Sequence, residues 1–268
     1  LHPLSRRQRQ MCIRDSGTIV AIGAYYFSGG AGNNSGTTRI YEWNGTAWTL
    51  KGSQIDGLTG GEVSGISISI NSDGTIIAIG ASSHNSTRGT TRIYEWSGTA
   101  WVLKGSQIDG LATGEYSGTS VSINSDGTVV AIGAYKNDEG PGSDSGTTRI
   151  YEWNGTAWAL KGSQINGLTH AEQSGLSVSI NSDGTVVAIG AYEFDGGAGA
   201  NSGTTRIYEW SGTAWVLKGS QINGLTTQEY SGRSVSINSA GTIVAIGGYL
   251  NNSDTGLSLI HISEPTRR

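Results

Sequence analysis

One apolar motif recurs five times along the chain, and the segments between its copies also repeat. The motif is Gly-Thr-(Ile/Val)-(Ile/Val)-Ala-Ile-Gly, and its copies begin at Gly17, Gly74, Gly127, Gly184 and Gly241. Successive copies are 57, 53, 57 and 57 residues apart. A near-constant period of this length indicates a repeat architecture, in which each unit is one supersecondary element that packs against its neighbours.

The repeat that begins at Gly127 contains four strand patterns separated by turns. Residues 128–132 form a continuous β-branched run of the kind found in buried strands. Residues 147–153 alternate between two faces, and Asn154-Gly155 directly after them is a strong hairpin signal. The predicted strands are residues 128–132, 147–153, 157–161 (continuing towards residue 165) and 176–180.

Four strands per repeat, a tight hairpin and no helix predict an all-β fold, a β-propeller-like array of four-stranded antiparallel blades. A β-solenoid is the main alternative, but its coils of about 20–30 residues are shorter than this period. An antiparallel sandwich gives no reason for near-identical units. The repeats are residues 17–73, 74–126, 127–183 and 184–240, with a partial one at 241–256. These four to five blade equivalents predict an incomplete propeller, an open arc with an exposed blade edge.

Both ends of the chain break the repeat. Codons for residues 11–15 and 257–262 can be chosen so that the two DNA strings, extended by a base or two, are reverse complements. They resemble the transposon-end adapter of sequencing libraries. We therefore expect residues 1–16 and 257–268 to be adapter-derived, non-native tails, and the chain to be a metagenomic fragment of a larger protein. A basic N-terminal arm is the alternative; residues 1–16 lack the apolar stretch of a signal peptide.

Composition excludes several classes of function. The chain has a net charge of −4, and six of its 17 basic residues, against two of its 21 acidic ones, lie in the two ends. An acidic repeat region argues against nucleic acid or an anionic membrane as partner. No apolar run approaches the roughly 18 residues of a membrane span, so we expect no membrane insertion. The single cysteine, Cys12, lies in the N-terminal end, which removes thiol catalysis and cysteine metal sites from the repeats.

The repeat resembles a known family. The segments that carry the resemblance are Gly146-Thr-Thr-Arg-Ile-Tyr-Glu-Trp153, Gly155-Thr-Ala-Trp158, Ser174-Gly-Leu-Ser-Val-Ser-Ile180 and Asp183-Gly-Thr-Val-Val-Ala-Ile-Gly-Ala191. They are similar to the FG-GAP repeat of integrin α chains, in its bacterial and environmental variant, over residues 17–256. The resemblance implies a propeller, usually of seven blades, in a secreted or cell-surface protein. It further implies a non-catalytic binding or adhesion module.

Calcium-binding loops of that family resemble Asp-x-Asx-x-Asp-Gly-x-x-Asp, which supplies several oxygen ligands to a hard cation. The corresponding candidate metal ligands here are Asn71, Asp73, Asn124, Asp126, Asn181 and Asp183. The first ligand position is Ser and the last is Val or Ile, which leaves one carboxylate per loop for an ion that takes 6–8 oxygens. We therefore expect no cofactor, with calcium as the open alternative, and interpret Asn-Ser-Asp-Gly as turn chemistry.

One connection varies in length and content between otherwise similar repeats. Its copies are residues 25–35, 82–88, 135–145, 192–202 and the shortened 249–255. Loops on a rigid scaffold commonly carry binding residues. The candidate ligand-binding residues are Asp138, Glu139, Asp144, Glu193 and Asp195, and the expected partner is an unidentified protein or glycan.

Two further functions remain open. A carbohydrate-binding propeller would use aromatic platforms, and exposure of Trp48, Trp101, Trp158 and Trp215 would favour it, whereas burial between blades would remove it. A purely structural scaffold is the other. The recurrent acids Glu62, Glu115, Glu172 and Glu229 predict structural hydrogen bonds to a loop backbone, and the Arg/Glu alternation of residues 39–42 predicts cross-strand pairing.

Catalysis is not expected. His84 and His170 lie at non-equivalent positions of their repeats. The chain also lacks a Gly-x-Ser-x-Gly or His-Glu-x-x-His motif. We therefore predict that the chain is not an enzyme.

Overall fold

The computed structural model arranges the chain as five antiparallel sheets in sequence order, and it describes residues 10–13, 17–29, 31–249 and 257–262. Blade 1 consists of β1 (Gln10–Ile13), β2 (Ile19–Ala24), β3 (Thr37–Trp43), β4 (Trp48–Leu50) and β5 (Ile55–Asp56). Blade 2 consists of β6 (Ser67–Ile70), β7 (Ile76–Ala81), β8 (Thr90–Trp96), β9 (Trp101–Leu103) and β10 (Ile108–Asp109), with α1 (His84–Thr87) between β7 and β8.

The remaining blades repeat this plan. Blade 3 consists of β11 (Ser120–Ile123), β12 (Val129–Ala134), β13 (Thr147–Trp153), β14 (Trp158–Leu160) and β15 (Ile165–Asn166). Blade 4 consists of β16 (Ser177–Ile180), β17 (Val186–Ala191), β18 (Thr204–Trp210), β19 (Trp215–Leu217) and β20 (Ile222–Asn223). Blade 5 has three strands, β21 (Ser234–Ile237), β22 (Ile243–Gly248) and β23 (Leu257–Ile262). The described sheets do not close into a ring, so the predicted incomplete propeller is confirmed.

The predicted third strand is divided in two. In blade 3 both β14 and β15 pair with β13, at opposite ends of that strand. Gly162 between them adopts a left-handed φ of 75°, which an extended strand cannot contain. The prediction of one strand from residue 157 towards residue 165 is therefore wrong in detail, because the outer edge of the blade kinks at this glycine.

Each blade takes its innermost strand from the end of the preceding sequence repeat. In blade 3, β11 pairs with β12, so that Ser120 lies opposite Gly133 and Ile123 lies opposite Val130. The blade is therefore offset from the repeat of residues 127–183. This offset joins consecutive repeats through backbone hydrogen bonds.

Serine hydroxyls connect the inner strands of neighbouring blades. The backbone N–H of Val121 donates to Ser67 Oγ at 2.9 Å, and the N–H of Ile123 donates to Ser69 Oγ at 3.0 Å. Both bonds recur from blade 4 to blade 5. From blade 3 to blade 4 the second bond recurs, whereas the Ser120 hydroxyl donates to the Gly175 carbonyl at 2.7 Å. The alternating serines of the inner strands therefore serve as acceptors for the next blade.

The hydrophobic core lies between blades. The cluster between blades 2 and 3 joins Ile76 and Ile93 to Val121 and Ile132. Equivalent clusters lie between blades 1 and 2 and between blades 3 and 4. On blade 5, the last blade, the corresponding apolar position of β22 is Ile243, which is 38% exposed. Each blade therefore buries an apolar face where a neighbouring blade packs on it, as blade 5 does with Val244 and Ile246 against blade 4.

The two ends of the described chain also pair as strands. β1 occupies the inner position beside β2, and β23 pairs with β22 at the position that β18 holds in blade 4. The sequence analysis places residues 1–16 and 257–268 outside the repeat. The backbone edges of β2 and β22 nevertheless offer donors and acceptors to any extended segment. Residues 1–9, 14–16 and 263–268 lie outside the described residues.

Antiparallel pairing gives the molecule two distinct faces. The "turn face" carries the Asn-Ser-Asp-Gly turns and the tryptophan hairpins, at one end of the strands. The "loop face" at the other end carries the variable loops and the return loops, which lead from an outer strand to the next inner strand. The return loops are residues 57–66, 110–119, 167–176 and 224–233. The short α1 lies on the loop face, and its Asn85 and Ser86 have left-handed rather than α-helical backbone angles. The described fold is therefore nearly all-β.

Among the residues that the structure describes, no helix has the length and hydrophobicity to cross a membrane.

Candidate functional site on the loop face

A buried ion pair anchors the loop face of each complete junction. Glu115 is 1% exposed, and Arg149 binds it with two hydrogen bonds, Nη1 to Oε1 at 2.7 Å and Nη2 to Oε2 at 3.0 Å. The Leu111 N–H donates to the same carboxylate at 2.8 Å, and Asn137 Nδ2 donates at 2.7 Å. One carboxylate thus holds a return loop, a variable loop and β13 together. Glu62–Arg92 and Glu172–Arg206 repeat the pair.

The electrostatic environment keeps Glu62 and Glu115 charged. Burial raises the pKa of Glu115, but the hydrogen bonds and charge of Arg149, with the Asn137 and Leu111 donors, outweigh burial and hold the pKa below its ordinary value. The pKa of Glu62 is lowered by the same balance with Arg92. Both partners of the Glu62–Arg92 and Glu115–Arg149 ion pairs are therefore charged at neutral pH.

The predicted roles of these residues need one correction. The backbone hydrogen bond expected for the recurrent glutamates is present, but the main partner is an arginine 34 residues further along the chain in blade 3. Cross-strand pairing describes only part of the contacts of Arg149: its Nε donates to Gln164 Oε1 beside β15 at 3.0 Å, but its two Nη atoms bind Glu115. The exposed Glu152 on the same strand pairs instead with Lys161 at 2.8 Å. The Arg149 guanidinium points into the junction between the blades, because it binds the buried carboxylate of Glu115 there.

The five candidate ligand acids lie in the variable loops of blades 3 and 4. Asp138 Oδ1 accepts the Asp144 N–H at 2.7 Å, and Asp195 Oδ1 accepts the Asn201 N–H at 2.7 Å, so each aspartate closes its own loop. The side chains of Glu139 and Glu193 accept hydrogen bonds from neighbouring glutamines. The acids belong to two different variable loops, and their role in ligand binding stays a prediction. Residues 250–255 of the fifth loop lie outside the described residues.

The candidate metal residues lie on the opposite, turn face. Asn124 Oδ1 accepts the backbone N–H groups of Thr128 at 3.0 Å and Val129 at 2.8 Å. Asp126 Oδ1 accepts the Thr128 N–H at 2.9 Å. Asn71 and Asn181 make the equivalent pairs of hydrogen bonds, and Asp73 and Asp183 occupy the same turn position as Asp126.

The Oδ1 atoms of these asparagines therefore already accept hydrogen bonds from the backbone of their own turns. Throughout the described part of the chain, no three His, Cys, Asp or Glu residues are grouped as a metal site. Calcium binding at these turns stays a prediction.

Replacing Asn124 with alanine tests the turn interpretation. We expect a loss of about 1–3 kcal/mol in the free energy of unfolding, because the buried Val129 N–H loses its acceptor. Urea unfolding with excess calcium and with a chelator should give the same loss. Asn238→Ala is the matched control, since Asn238 makes the same hydrogen bonds in a more exposed turn without an acid. A loss that appears only with calcium would contradict the turn interpretation.

The turn face also contains a small cavity at the inner ends of the blades. Its volume is about 150 Å³. The walls are formed by isoleucines that end the inner strands and by the asparagines and serines that follow them. None of these lining side chains carries a charge. The cavity offers hydroxyl and amide groups only, some of which already serve the turns.

Three of the four hairpin tryptophans connect neighbouring blades. Trp158 Nε1–H donates to the Lys104 carbonyl at 2.9 Å, and its ring packs on the core between blades 2 and 3. Trp101 and Trp215 make the same contacts one blade earlier and later. These contacts remove the three residues as stacking platforms. Trp48 of blade 1 is 45% exposed, because no described blade covers it.

Sequence analysis missed a group of tyrosines on the loop face, which we call the tyrosine cluster: Tyr116, Tyr135, Tyr192, Tyr230 and Tyr249. The Tyr192 and Tyr230 ring centroids are 5.9 Å apart, and Tyr249 meets Tyr230 edge-on at 6.5 Å. The exposed Arg233 places its guanidinium 5.1 Å from the Tyr192 ring. Tyr116 and Tyr135 form a second pair at 5.6 Å.

The backbone and hydrogen bonds of the tyrosine cluster hold it in a defined arrangement. Tyr116 and Tyr230 have φ values of 55° and 56°, a left-handed conformation that bulky residues rarely adopt and that concentrates at functional sites. The Tyr192 hydroxyl donates to Gln173 Oε1 at 3.0 Å. Burial, followed by the hydrogen bond and charge of Glu193, raises the pKa of Tyr192. A sequence signal existed: three of the tyrosines directly follow the second strand of a blade, and two follow the recurrent glutamate.

The sheets, their packing and the two faces define the chain as a β-propeller domain with an incomplete ring. No family model and no curated protein matches it. Among solved structures it is similar to TolB from Acinetobacter baumannii, with a TM-score of 0.56 and 13% identity over 97% of this chain and 53% of TolB. It is also similar to the β-propeller domain of the Trilobed protease from Pyrococcus furiosus, with a TM-score of 0.52 and 11% identity over 96% of this chain and 69% of that one.

The chain thus spans about half the length of that TolB. At such identities the likeness shows the fold alone. The predicted propeller is confirmed, whereas membership of the FG-GAP family stays a prediction.

Proposed function

We propose that the chain is a non-catalytic binding module of a larger secreted or cell-surface repeat protein, and that it works in adhesion. The fold is that of an incomplete β-propeller, an architecture whose loops can carry binding residues. The observation that carries the proposal is the contrast between the strands and the loop face. Nearly constant strands and a repeated buried ion pair support loops that differ in every repeat. Variable loops on a rigid scaffold are suited to selective binding.

The histidines support a non-catalytic role. His84 Nδ1 lies 2.9 Å from Glu62 Oε2 and joins the buried ion pair of that junction. His170 belongs to a return loop and packs beside Gly142 of the variable loop in the same blade. Each histidine therefore has a structural contact within its own part of the loop face. The resemblance to FG-GAP repeats supports adhesion, and the comparisons support the propeller fold alone.

Carbohydrate binding is the second candidate, and the tyrosine cluster favours it. Aromatic rings offer apolar faces on which sugar rings stack, and the Tyr192 and Tyr230 hydroxyls add polar edges. Arg233 supplies an exposed cation beside the same rings. In this candidate function the sugar stacks on the tyrosines of the loop face and not on the tryptophans of the turn face, which the sequence analysis considers.

An array experiment tests both candidates. The whole chain is applied to printed bacterial, algal and plant polysaccharides together with collagen and fibronectin. We expect the double variant Tyr192→Ala, Tyr249→Ala to lose polysaccharide binding and the loop variant Asp138→Ala, Asp195→Ala to lose protein binding. Trp43→Ala is the matched aromatic control, because Trp43 is exposed on the turn face.

The pattern of losses separates the outcomes. A loss of binding in a loop-face variant, with binding kept in Trp43→Ala, supports the module and identifies its ligand class. Equal losses in all variants would assign binding to the turn face or to the fold as a whole. If the parent chain binds none of the printed probes, the proposal fails in favour of a structural scaffold.

A further inference from the structure

The chain contains four Asn-Gly pairs, and the fold places them in two different environments. Asn44 and Asn154 begin hairpins of the turn face, whereas Asn166 and Asn223 end the outer strands β15 and β20. The backbone nitrogen after an asparagine can attack the side-chain amide carbon, and glycine has no side chain to shield that nitrogen. The local structure around each pair therefore decides whether this reaction can occur.

At the hairpin of blade 3 the side chain of Asn154 is bent back over its own turn. Its Oδ1 accepts the Thr156 N–H at 3.0 Å, the Thr156 hydroxyl at 3.0 Å and the Ala157 N–H at 2.9 Å. These bonds to the second and third residues hold the amide beside the nitrogen of the intervening Gly155. The three donors also face the oxygen that becomes negative when the amide carbon is attacked, and donors so placed stabilise the developing charge.

The nitrogen of Gly155 is accessible. In the described part of the chain its N–H has no hydrogen-bond acceptor, and Asn154 and Gly155 are both exposed. A Cβ built on Gly155 would meet no atom within 4 Å. Water and hydroxide therefore reach this nitrogen without any opening of the fold.

The Asn-Gly pairs of β15 and β20 have the opposite environment. The Gly167 N–H donates to the Gly146 carbonyl at 2.8 Å, and the Gly224 N–H donates to the Gly203 carbonyl at 2.9 Å. Both donor glycines are buried, and a Cβ on Gly167 would overlap the Ser145 carbonyl oxygen. The attacking nitrogen is therefore hydrogen-bonded and shielded, so local opening must precede the reaction.

The hairpins of blades 2 and 4 show that the turn forms without an asparagine. Ser97 Oγ accepts the Ala100 N–H at 3.1 Å, and Ser211 Oγ accepts the Ala214 N–H at 3.1 Å. Serine thus makes the same turn without an amide group. The variant Asn154→Ser should therefore keep the hairpin and remove the reaction.

We propose that Asn154, with its equivalent Asn44, is a site of spontaneous hydrolytic deamidation. The Gly155 N–H loses its proton to hydroxide, the nitrogen forms a bond to Asn154 Cγ, and the Cγ–Nδ2 bond breaks. Nδ2 takes a proton from water and leaves as ammonia. Water then opens the resulting succinimide: cleavage of the new N–Cγ bond gives aspartate, and cleavage of the original peptide bond gives isoaspartate, whose main chain is one carbon longer.

Isoaspartate at position 154 lengthens a tight turn beside a blade junction. Trp153 and Trp158 lie opposite each other at the base of this hairpin, and Trp158 donates to the Lys104 carbonyl of blade 2. A longer turn displaces this pairing. Aspartate, in contrast, leaves the backbone unchanged and keeps an oxygen acceptor for the turn. The isoaspartate product therefore weakens the junction between blades 2 and 3.

Peptide mapping of the whole chain tests the proposal. The folded protein is incubated at mildly alkaline pH, and the tryptic peptides 40–51, 150–161, 162–206 and 219–233 each contain one Asn-Gly pair. Mass spectrometry follows the conversion of each amide to an acid, and isoaspartyl methyltransferase labels the isoaspartate. We expect Asn44 and Asn154 to react about tenfold or more faster than Asn166 and Asn223, because the latter must first break a buried hydrogen bond. In strong denaturant the four rates should converge.

The variants separate the reaction from its consequence. After the same incubation, the parent protein should unfold at lower urea concentration than Asn154→Ser, and freshly prepared Asn154→Asp should unfold like the fresh parent. Equal rates at all four pairs in the folded chain would overturn the proposal. So would Asn44 and Asn154 that stay intact in the folded chain but react in denaturant, because the hairpin hydrogen bonds would then protect the amides. Equal stability of the incubated parent and Asn154→Ser would refute the effect on the junction.

Discussion

Replacing Arg149 with methionine is expected to lower the free energy of unfolding by about 3–5 kcal/mol, because the variant leaves the charge of Glu115 buried and unpaired. Glu115 is almost completely inaccessible and receives two of its four side-chain hydrogen bonds from Arg149. Methionine keeps most of the arginine stem, so packing changes little. Urea unfolding at neutral pH and low protein concentration measures the loss.

Arg39→Met is the matched control for this prediction. Arg39 has the same place in its repeat but, among the described residues, no carboxylate partner, so we expect a loss well below that of Arg149→Met. The double variant Glu115→Leu, Arg149→Met should recover most of the lost stability, since it removes both charges. Equal losses in Arg39→Met and Arg149→Met would show that the buried pair is not the cause.

The pH dependence gives an independent readout of the same pair. The folded-state pKa of Glu115 is lowered, so its contribution to stability is present above the unfolded-state pKa and is lost as the pH falls through the folded-state value. In Arg149→Met the unpaired carboxylate favours its protonated form. Acidification towards the ordinary glutamate range should therefore protonate the unpaired carboxylate of the variant and reduce its difference from the parent, and below that range the parent protein also weakens. A constant difference across that range would contradict the ionic interpretation.

The sequence could predict the blades because their signals are local. The β-branched runs, the alternation along Thr147–Trp153 and the Asn-Gly hairpin each determine structure within a few residues. The offset between blade and repeat depends on which neighbouring strand β11 joins. Both neighbours are equally periodic in sequence, so the pattern alone does not select one. The break at Gly162 does not follow from the sequence pattern, because an apolar residue, Ile165, follows the glycine closely and suggests that the strand continues.

The site was harder to predict because its contacts cross from one repeat to another. Glu115 and Arg149 recur with the same period as the other positions of the repeat. The recurrence therefore marks each residue as part of the repeat but does not show that their side chains form an ion pair. The tyrosine cluster likewise joins loops of different repeats, such as those of Tyr116 and Tyr135. Acids such as Asp138 were proposed as ligand groups because they are polar and variable, yet the structure shows them closing their own loops.

Replacing Gly133 with alanine is expected to cost about 3 kcal/mol or more, at or beyond the upper end of ordinary overpacking. Gly133 lies one residue before the end of β12, between two return loops, and its carbonyl accepts the Gly118 N–H at 3.0 Å. A Cβ at this position would overlap the carbonyl oxygen of Gly175 in the next return loop. That loop cannot move freely, because the buried Glu172 holds it to Arg206. The strain should therefore extend to the Glu172–Arg206 ion pair of blade 4. Thermal unfolding followed by circular dichroism measures the loss of stability.

Gly247→Ala separates this steric effect from a general cost of adding a side chain to the strand. Gly247 holds the same position in β22 and also lies opposite an inner-strand serine. A Cβ there would overlap only Ser234 Oγ, which can rotate away, and no return loop of a following blade packs on it in the described residues. We expect its melting temperature to fall much less than that of Gly133→Ala. Similar falls in both variants would mean that the close approach of neighbouring blades is not what requires glycine, because only Gly133 faces a second backbone.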